Sequence, residues 1–570
     1  MSRIRNLPRR VPLADADELI RPMTELLRTP HGTQILRPMQ ACGLAELVKV
    51  RGLFCGARVG AGKTLMTGLA PLVLGATRPL LLVPAKHMKR GKQNAPSKIE
   101  REMDQYRLHW QIPRHTRIES YQRLGLRQNS YLLWDYKPNL LMCDEAQWLR
   151  HVRSAGCARR VARYLHDAPD CVVLVLSGSL RRTSLLDYVH MLDWTLRDGS
   201  PAPRDPEHQQ TWALLLDDPS YGAPKRDSWA PDPSYEVLQQ HLGPSAVDRP
   251  SAQAAWGERL TQTPGVLISQ DSFDLPLSIQ PIQIPTPPSM TEHWERLRQL
   301  WITPDDWLLP DKSIGVYSTA LQLALGFFYY HDPRPPTDWM QARTQWCRFC
   351  RRILTDLDTY DTEAQIRDAC IEGALPKQAW DEWAAIKDQY VPHAIPSWLS
   401  THALQRAADW GRAGGGGLIM CSHRAFGEAL SQLTKWPYYG EFGLNASGES
   451  IDRSRAPVAI ASAKACGDGF NLQHQWSRML VTTPWKASED WEQRIGRIHR
   501  EGQQAEQVSV SYFVGCLENV VAINSALGYA RATELSNRQP QKLLQAEMTV
   551  PDLGEGPAYD RTKSRKEEAT

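Results

Sequence analysis

Two series of short apolar runs limit what this chain can fold into. The first is LLLV at 80–83, LLMC at 140–143 and VVLVL at 172–176; the second is LIMC at 418–421, VAIA at 458–461, MLVT at 479–482 and VSVSYF at 508–513. Each run is too short for a long helix and ends in small or polar residues, the pattern of a strand buried in a parallel sheet. The stretches between them have helical length and character. The pattern predicts an α/β fold of two lobes, each with a parallel sheet. The first lobe is placed at 33–195 and the second at 406–536, with a lead at 1–32 and a long linking region at 196–405. The polar segment 537–570, ending DRTKSRKEEAT, reads as a disordered tail.

The linking region differs in composition. It opens on SPAPRDPEHQ, and thirteen of the 20 tryptophans fall between Trp194 and Trp410. The expectation is loops plus helices packed on the lobes, with these tryptophans as packing residues rather than base-stacking platforms. Four glycines at 414–417 form a flexible lead into the second lobe's first strand.

At 570 residues the chain exceeds one compact domain. A hydrophobic share of 42% and a charged share of 23% fit a soluble enzyme. No run is long enough to span a bilayer, and the basic start MSRIRNLPRR lacks the apolar segment of a secretion signal. Eleven scattered cysteines fit reduced thiols in a cytoplasmic compartment. Cys347 and Cys350 form a CxxC without a second pair, and read as free thiols rather than zinc ligands. Net charge is only +4, but basic residues cluster after predicted strands: Lys86, Lys89, Arg90 and Lys92; Arg150, Arg153, Arg159, Arg160 and Arg163; Arg181 and Arg182. Two readings stay open for them, a phosphate-neutralising face or a solvated helix surface.

Three segments carry chemistry. In GARVGAGKT, 56–64, Gly60 and Gly62 let the backbone curl around Ala61 so that its N–H groups face a phosphate, and the helix that follows adds its positive end. Lys63 then reaches the β and γ phosphates of a nucleotide and the Thr64 hydroxyl can bind Mg²⁺. The usual pattern has glycine where this chain has Ala57. In LLMCDEAQ, 140–147, a buried strand ends in two acids, placing Asp144 next to Mg²⁺ and Glu145 where it orients the attacking water. In QRIGRIHREGQ, 493–503, a helix would put Gln493, Arg497 and Arg500 on one face. Two arginines there can reach across a cleft to the transferring phosphoryl group, although a solvated basic helix is the commoner case.

In this order the segments resemble the Swi/Snf-related branch of the superfamily-two helicase-like ATPases, with their DEAD/DEAH-box-like core of two tandem RecA-like P-loop lobes. LRPMQ, 36–40, is similar to the family's opening motif, which implies that Gln40 contacts adenine. LLLVPAKHMKR and IESYQRL resemble the motifs after the second strand. DEAQ matches the acidic motif, with Gln147 where many members have histidine. LSGSL implies that Ser177 and Ser179 couple hydrolysis to lobe movement. The stretch 461–503 is similar throughout to the two motifs of the second lobe: Ser462, Lys464, Gly467, Gly469, Asn471 and Leu472 fall on one, Arg497, His499, Arg500 and Gln503 on the other, with Trp485 between. The ending HREGQ resembles the family's HRIGQ. LPLSIQPIQIPTPPSMTEHWERLRQL, 275–300, looks like the strand and helix that begin the second half. Arg58 and Val59 depart from the family, which has an acid and a methionine there.

The resemblance implies ATP and Mg²⁺ as ligands and DNA as partner, duplex before single strand, with RNA left open. Gly60, Ala61, Gly62, Lys63, Thr64 and Gly469 join Gln40 in nucleotide binding; Lys63, Asp144, Glu145, Arg497 and Arg500 carry catalysis; Thr64 and Asp144 hold the metal. The expected activity is a DNA-dependent ATPase that translocates without separating strands. Two alternatives are a strand-separating DNA or RNA helicase and a low-turnover ATP-gated clamp. A monomer without a membrane or accessory module is expected, in the cytoplasm of a bacterium or phage-infected cell, with a nuclear setting left open.

Overall fold

The computed structural model describes residues 3–10, 17–58, 60–88, 96–150, 152, 155–178, 183–218, 233–269, 274–309, 314–356, 359–466 and 469–551. Lys89, Arg90, Lys92, Arg153, Ser179, Arg181, Arg182, Val59 and Gly467 lie outside the described residues, as does 552–570.

Six strands build the first sheet: β1 (Leu53–Gly56), β2 (Pro79–Val83), β3 (Arg117–Ser120), β4 (Leu140–Asp144), β5 (Val172–Ser177) and β6 (Val266–Ile268). Their order is β3-β2-β4-β5-β1-β6, and every pairing is parallel. Next comes β7 (Leu277–Gln283), then an antiparallel pair, β8 (Phe327–His331) and β9 (Ala394–Trp398). The second sheet adds β10 (Gly417–Cys421), β11 (Tyr438–Tyr439), β12 (Val458–Ser462), β13 (Arg478–Val481), β14 (Val508–Val514) and β15 (Glu547–Met548). Its order is β11-β12-β10-β13-β14-β7-β15, again wholly parallel. All seven apolar runs are strands. Helices cover both faces, because strands such as LLLV and LIMC have no polar face to leave wet.

The linking region does not stay apart from the lobes. β6 lies beside β1 in the first sheet and β7 beside β14 in the second. Three apolar residues, VLI, are too few to stand out in the sequence. LSIQPIQ mixes polar residues and an internal proline into a central pairing, a poor strand signal on its own. Trp212 and Trp256, fully buried, fill the first lobe's core with Phe54 and Tyr188. The segment 537–551 is not a disordered tail: Lys542–Gln545 is helical, Leu543 is buried and β15 pairs with β7.

Residues 337–386 form a small helical unit. The helices Thr337–Asp356, Glu363–Ile371 and Gln378–Ile386 share a core of Trp346, Cys350, Ile353, Ile366 and Cys370. Cys347 is exposed on the first helix while Cys350 points inward. Asp361 joins this unit to the first lobe. Its carboxylate accepts from Arg160 Nε at 3.1 Å and from Arg163, with Arg159 beside them on the helix Gly156–Asp167.

This corrects the phosphate-face reading of the second basic cluster. Arg159 and Arg160 are buried, and Arg150 is buried in an ion pair, so they cannot line a backbone track. Asp361→Ala leaves the fully buried Arg160 without its carboxylate. The expected loss is about 3–5 kcal/mol of stability, read as a lower unfolding midpoint in urea. An unchanged midpoint would remove this ion pair as the tie between unit and lobe.

Candidate functional site between the lobes

Parallel strands put all their carboxyl ends on one edge, and the order β4-β5-β1 makes three of those ends neighbours. Gly56 aligns with Ser177, and Asp144 with Leu176. The acid pair therefore sits two strand spacings, about 10 Å, from the start of the glycine loop.

After β1 the chain turns through Gly60 (φ 91°) and Gly62 (φ 76°) into the helix Lys63–Leu74. Both glycines need the left-handed region, and a Cβ on Gly62 would lie 2.2 Å from Gln40 Nε2. Gly62 gives the helix no side-chain cap. Lys63 is buried and folds back, its Nζ donating to the carbonyls of Ala57 at 2.9 Å and Arg58 at 3.4 Å. Ala61 is buried beneath the turn, and Thr64 is partly exposed in the first helical turn. Gln40, in the helix Pro38–Val50, donates through Nε2 to Gly62 O at 3.2 Å and accepts from Arg37 N at 2.9 Å. Its amide thus meets the loop backbone.

Asp144 ends β4, and Glu145 turns away from it in a left-handed conformation (φ 54°). Burial, then the neighbouring charge of Glu145, raises the Asp144 pKa. Burial also opposes the ionised form of Glu145, but Lys63, the hydrogen bond from Gln147, His87 and Arg497 outweigh it and lower its pKa. Gln147 links Glu145 to the next strand: its Nε2 donates to Glu145 Oε2 at 2.8 Å, and its Oε1 accepts from Ser177 Oγ at 2.7 Å. Ser177, at the end of β5, is thus one side chain removed from the acid.

The second lobe supplies the other wall. The helix expected through Arg500 stops at Ile495 (Ser488–Ile495), and 496–500 form turns. Gly496 lowers helical stability there, and Ile498 is drawn into the core. The turn, rather than a helical face, brings the arginines to the first lobe. Arg497 is buried, donating to Gln493 O at 3.0 Å and Phe470 O at 3.3 Å, and its charge acts on Glu145. Arg500 donates to Asn471 Oδ1 at 2.6 Å. Its other terminal nitrogen lies 3.1 Å from where a Gly60 Cβ would sit. Gly469 O accepts from Lys98 Nζ at 2.6 Å, with His87 beside it.

Several contacts around the cleft, some within a lobe and some between lobes, have no signature in the sequence. Arg37 donates to Gly60 O at 2.9 Å and pairs with Glu501 at 2.9 Å. Arg150 and Glu489 form a buried ion pair at 2.5 Å. Gln539 donates to Gly178 O at 3.0 Å, while Lys542 Nζ lies 3.0 Å from His499 Nδ1. His499 also meets Leu275 O at 2.7 Å; burial, then Lys542, pushes its pKa down to about 4. Arg37 and Glu501, Arg150 and Glu489, and Gln539 and Gly178 are hundreds of residues apart and of common residue type, so only the fold pairs them.

The residues present fit a nucleotide polyphosphate with a divalent cation. The curled loop and uncapped helix start offer N–H groups, Lys63 rests on carbonyls that a phosphate can replace, and Arg500 faces the loop. A buried Asp144 with a raised pKa is an acid that a cation would stabilise in its ionised form. Thr64 and Asp144 are the groups that can hold that cation.

No protein-family model matches this chain. No curated protein matches it. Among solved structures it is similar to Mycobacterium smegmatis helicase Lhr bound to ssDNA and AMP-PNP, with 10% identity and a TM-score of 0.36, over 86% of this chain and 48% of that one. It is also similar to the C-terminal part of the Fun30 ATPase domain, with 14% identity and a TM-score of 0.26, over 44% of this chain and 89% of that one. The chain spans about half the length of the Lhr chain it matches. Strand order, strand direction and the loop after β1 together make the chain an α/β protein of two RecA-like lobes, with a Trp-rich, mainly helical region between them.

Proposed function

We propose that this chain is a helicase-like motor that hydrolyses ATP in the cleft between its lobes and uses the closure to move on DNA. The observation that carries the reading is Arg500 of the second lobe lying against Gly60 of the phosphate loop. A hydrolytic site divided between two lobes makes catalysis depend on their closure.

In this reading the loop from Gly60 to Gly62 and Lys63 hold the β and γ phosphates of ATP. Mg²⁺, held by Thr64 and Asp144, would neutralise charge on those phosphates. Glu145 accepts a hydrogen bond from the attacking water. Its lowered pKa keeps it ionised for that task. Arg497 and Arg500 offset the charge that develops on the transferring phosphoryl group. Gln40 fixes the loop through Gly62 and, on the family resemblance, contacts adenine; Gly469 lies on the opposite wall. Phosphate contacts predict weak sequence preference and strong salt sensitivity for the DNA interaction.

Gln147 positions Glu145 and ties it to Ser177. Gln147→Ala frees the Glu145 carboxylate, and kcat for ATP is expected to fall about 10-fold with little change in KM. Equal kcat in the variant would show that Glu145 is oriented by other contacts.

The reading is tested by ATPase rates with duplex DNA, single-stranded DNA and RNA in turn. Stimulation is expected with DNA, greatest with duplex. A rate that no nucleic acid changes would overturn it. Strand-displacement and triplex-displacement assays then separate unwinding from translocation without unwinding.

A further inference from the structure

The helix Thr337–Asp356 has two unlike sides. Trp339, Ala342, Trp346, Cys350 and Ile353 are its buried residues, at spacings of three and four, and they face the small core of the helical unit. The opposite side carries Arg343, Arg348, Arg351 and Arg352, all exposed. At about 100° per residue these four spread over roughly half the circumference, and along about 13 Å of axis. No aspartate or glutamate occurs from 339 to 355.

Neighbouring arginines of this region are neutralised. Arg127 and Arg367 share Asp368, and Arg160 and Arg163 share Asp361. By contrast, none of the four forms an ion pair among the described residues. Two are held in place by rings instead: Arg343 lies over Trp339 at 5.2 Å and Arg352 over Phe349 at 5.6 Å. The helix is anchored through its own core and through Asp361 to the first lobe. The result is an array of four exposed guanidinium groups on an anchored helix, two of them held by rings and none in an ion pair among the described residues.

We propose that this arginine face is a second DNA contact, gripping the phosphate backbone outside the cleft between the lobes. Planar guanidinium groups match phosphate oxygens in pairs. The aromatic rings of the helix lie inward or beneath arginines, so the face suits backbone contact without reading of bases. An anionic membrane is a poorer match, since a membrane-surface helix turns its apolar side outward and here that side is buried. The proposal rests on the reading of the chain as a motor on DNA.

The test compares the full-length protein with a variant carrying Arg343→Gln, Arg348→Gln, Arg351→Gln and Arg352→Gln together. Binding to a labelled random-sequence duplex and to a single strand of equal length is followed by anisotropy over a salt series. Each lost phosphate contact lowers the steepness of log affinity against log salt by about 0.9 on duplex. A slope shallower by about 2–4 is therefore expected, with at least a tenfold weaker affinity at low salt. A second variant with lysine at the same four positions should recover most of the slope. If the wild type binds duplex and the glutamine variant keeps the same slope, this proposal falls and the motor reading stands. A wild type that binds neither DNA form and is stimulated by neither removes both. Lost binding that lysine does not restore also overturns the proposal, because packing rather than charge would then be the cause.

Discussion

Arg500→Ala should lower ATP turnover by about 10³-fold or more while leaving nucleotide binding nearly unchanged. Arg500 comes from the turn after the helix Ser488–Ile495, not from the lobe that carries the glycine loop. Asn471 holds one of its terminal nitrogens at 2.6 Å, and the other is directed to Gly60. Burial lowers its pKa, but an arginine stays protonated at neutral pH. Its charge is therefore available where phosphoryl transfer would occur, and only when the lobes meet. Arg500→Lys should rescue little, because one ammonium cannot hold Asn471 and a phosphate oxygen as the fork does. The check is steady-state ATPase beside binding of a fluorescent nucleotide. Normal turnover in the alanine variant would remove Arg500 from the reaction.

The second large effect is at Lys63. Lys63→Ala should reduce turnover by at least about 10²–10³-fold while DNA binding persists. The amine is buried in the loop, bonded to Ala57 O and Arg58 O, and its charge acts on both acids. Its loss has two consequences. The phosphates lose a cation, and Glu145 loses the largest influence holding its pKa down. The Glu145 pKa then rises, so any residual activity should decline at a higher pH on the acidic side than in the wild type. A pH–rate profile of the variant reads this shift. Full turnover in Lys63→Ala would sink the assignment of the loop.

The sequence made the strands legible because each buried parallel strand is an apolar run bounded by polar residues. It made the loop legible because Gly60 and Gly62 have a backbone role that few other residues can fill. It did not show β6, which is three residues long, and it pointed to β7 only through the family resemblance at 275–300, since the proline and glutamines of LSIQPIQ argue against a central strand. It also misled at 496–500. Gln493, Arg497 and Arg500 have helical spacing, but Gly496 and the buried Ile498 end the helix first. In the same way Arg150, Arg159 and Arg160 read as surface charge, while Glu489 and Asp361 draw them inside.

Local chemistry thus set the strands, the glycine loop and the acid pair at the end of β4. Each depends on residues next to one another in the chain. The tertiary structure decided which of them meet. Strand order put Asp144 and Ser177 beside the loop, and the packing of the second lobe put Arg500 against Gly60 and Arg150 against Glu489. Contacts between residues hundreds of positions apart carry no periodicity or spacing. They arise from burial and charge pairing once the lobes pack together, so they appear only in the folded chain.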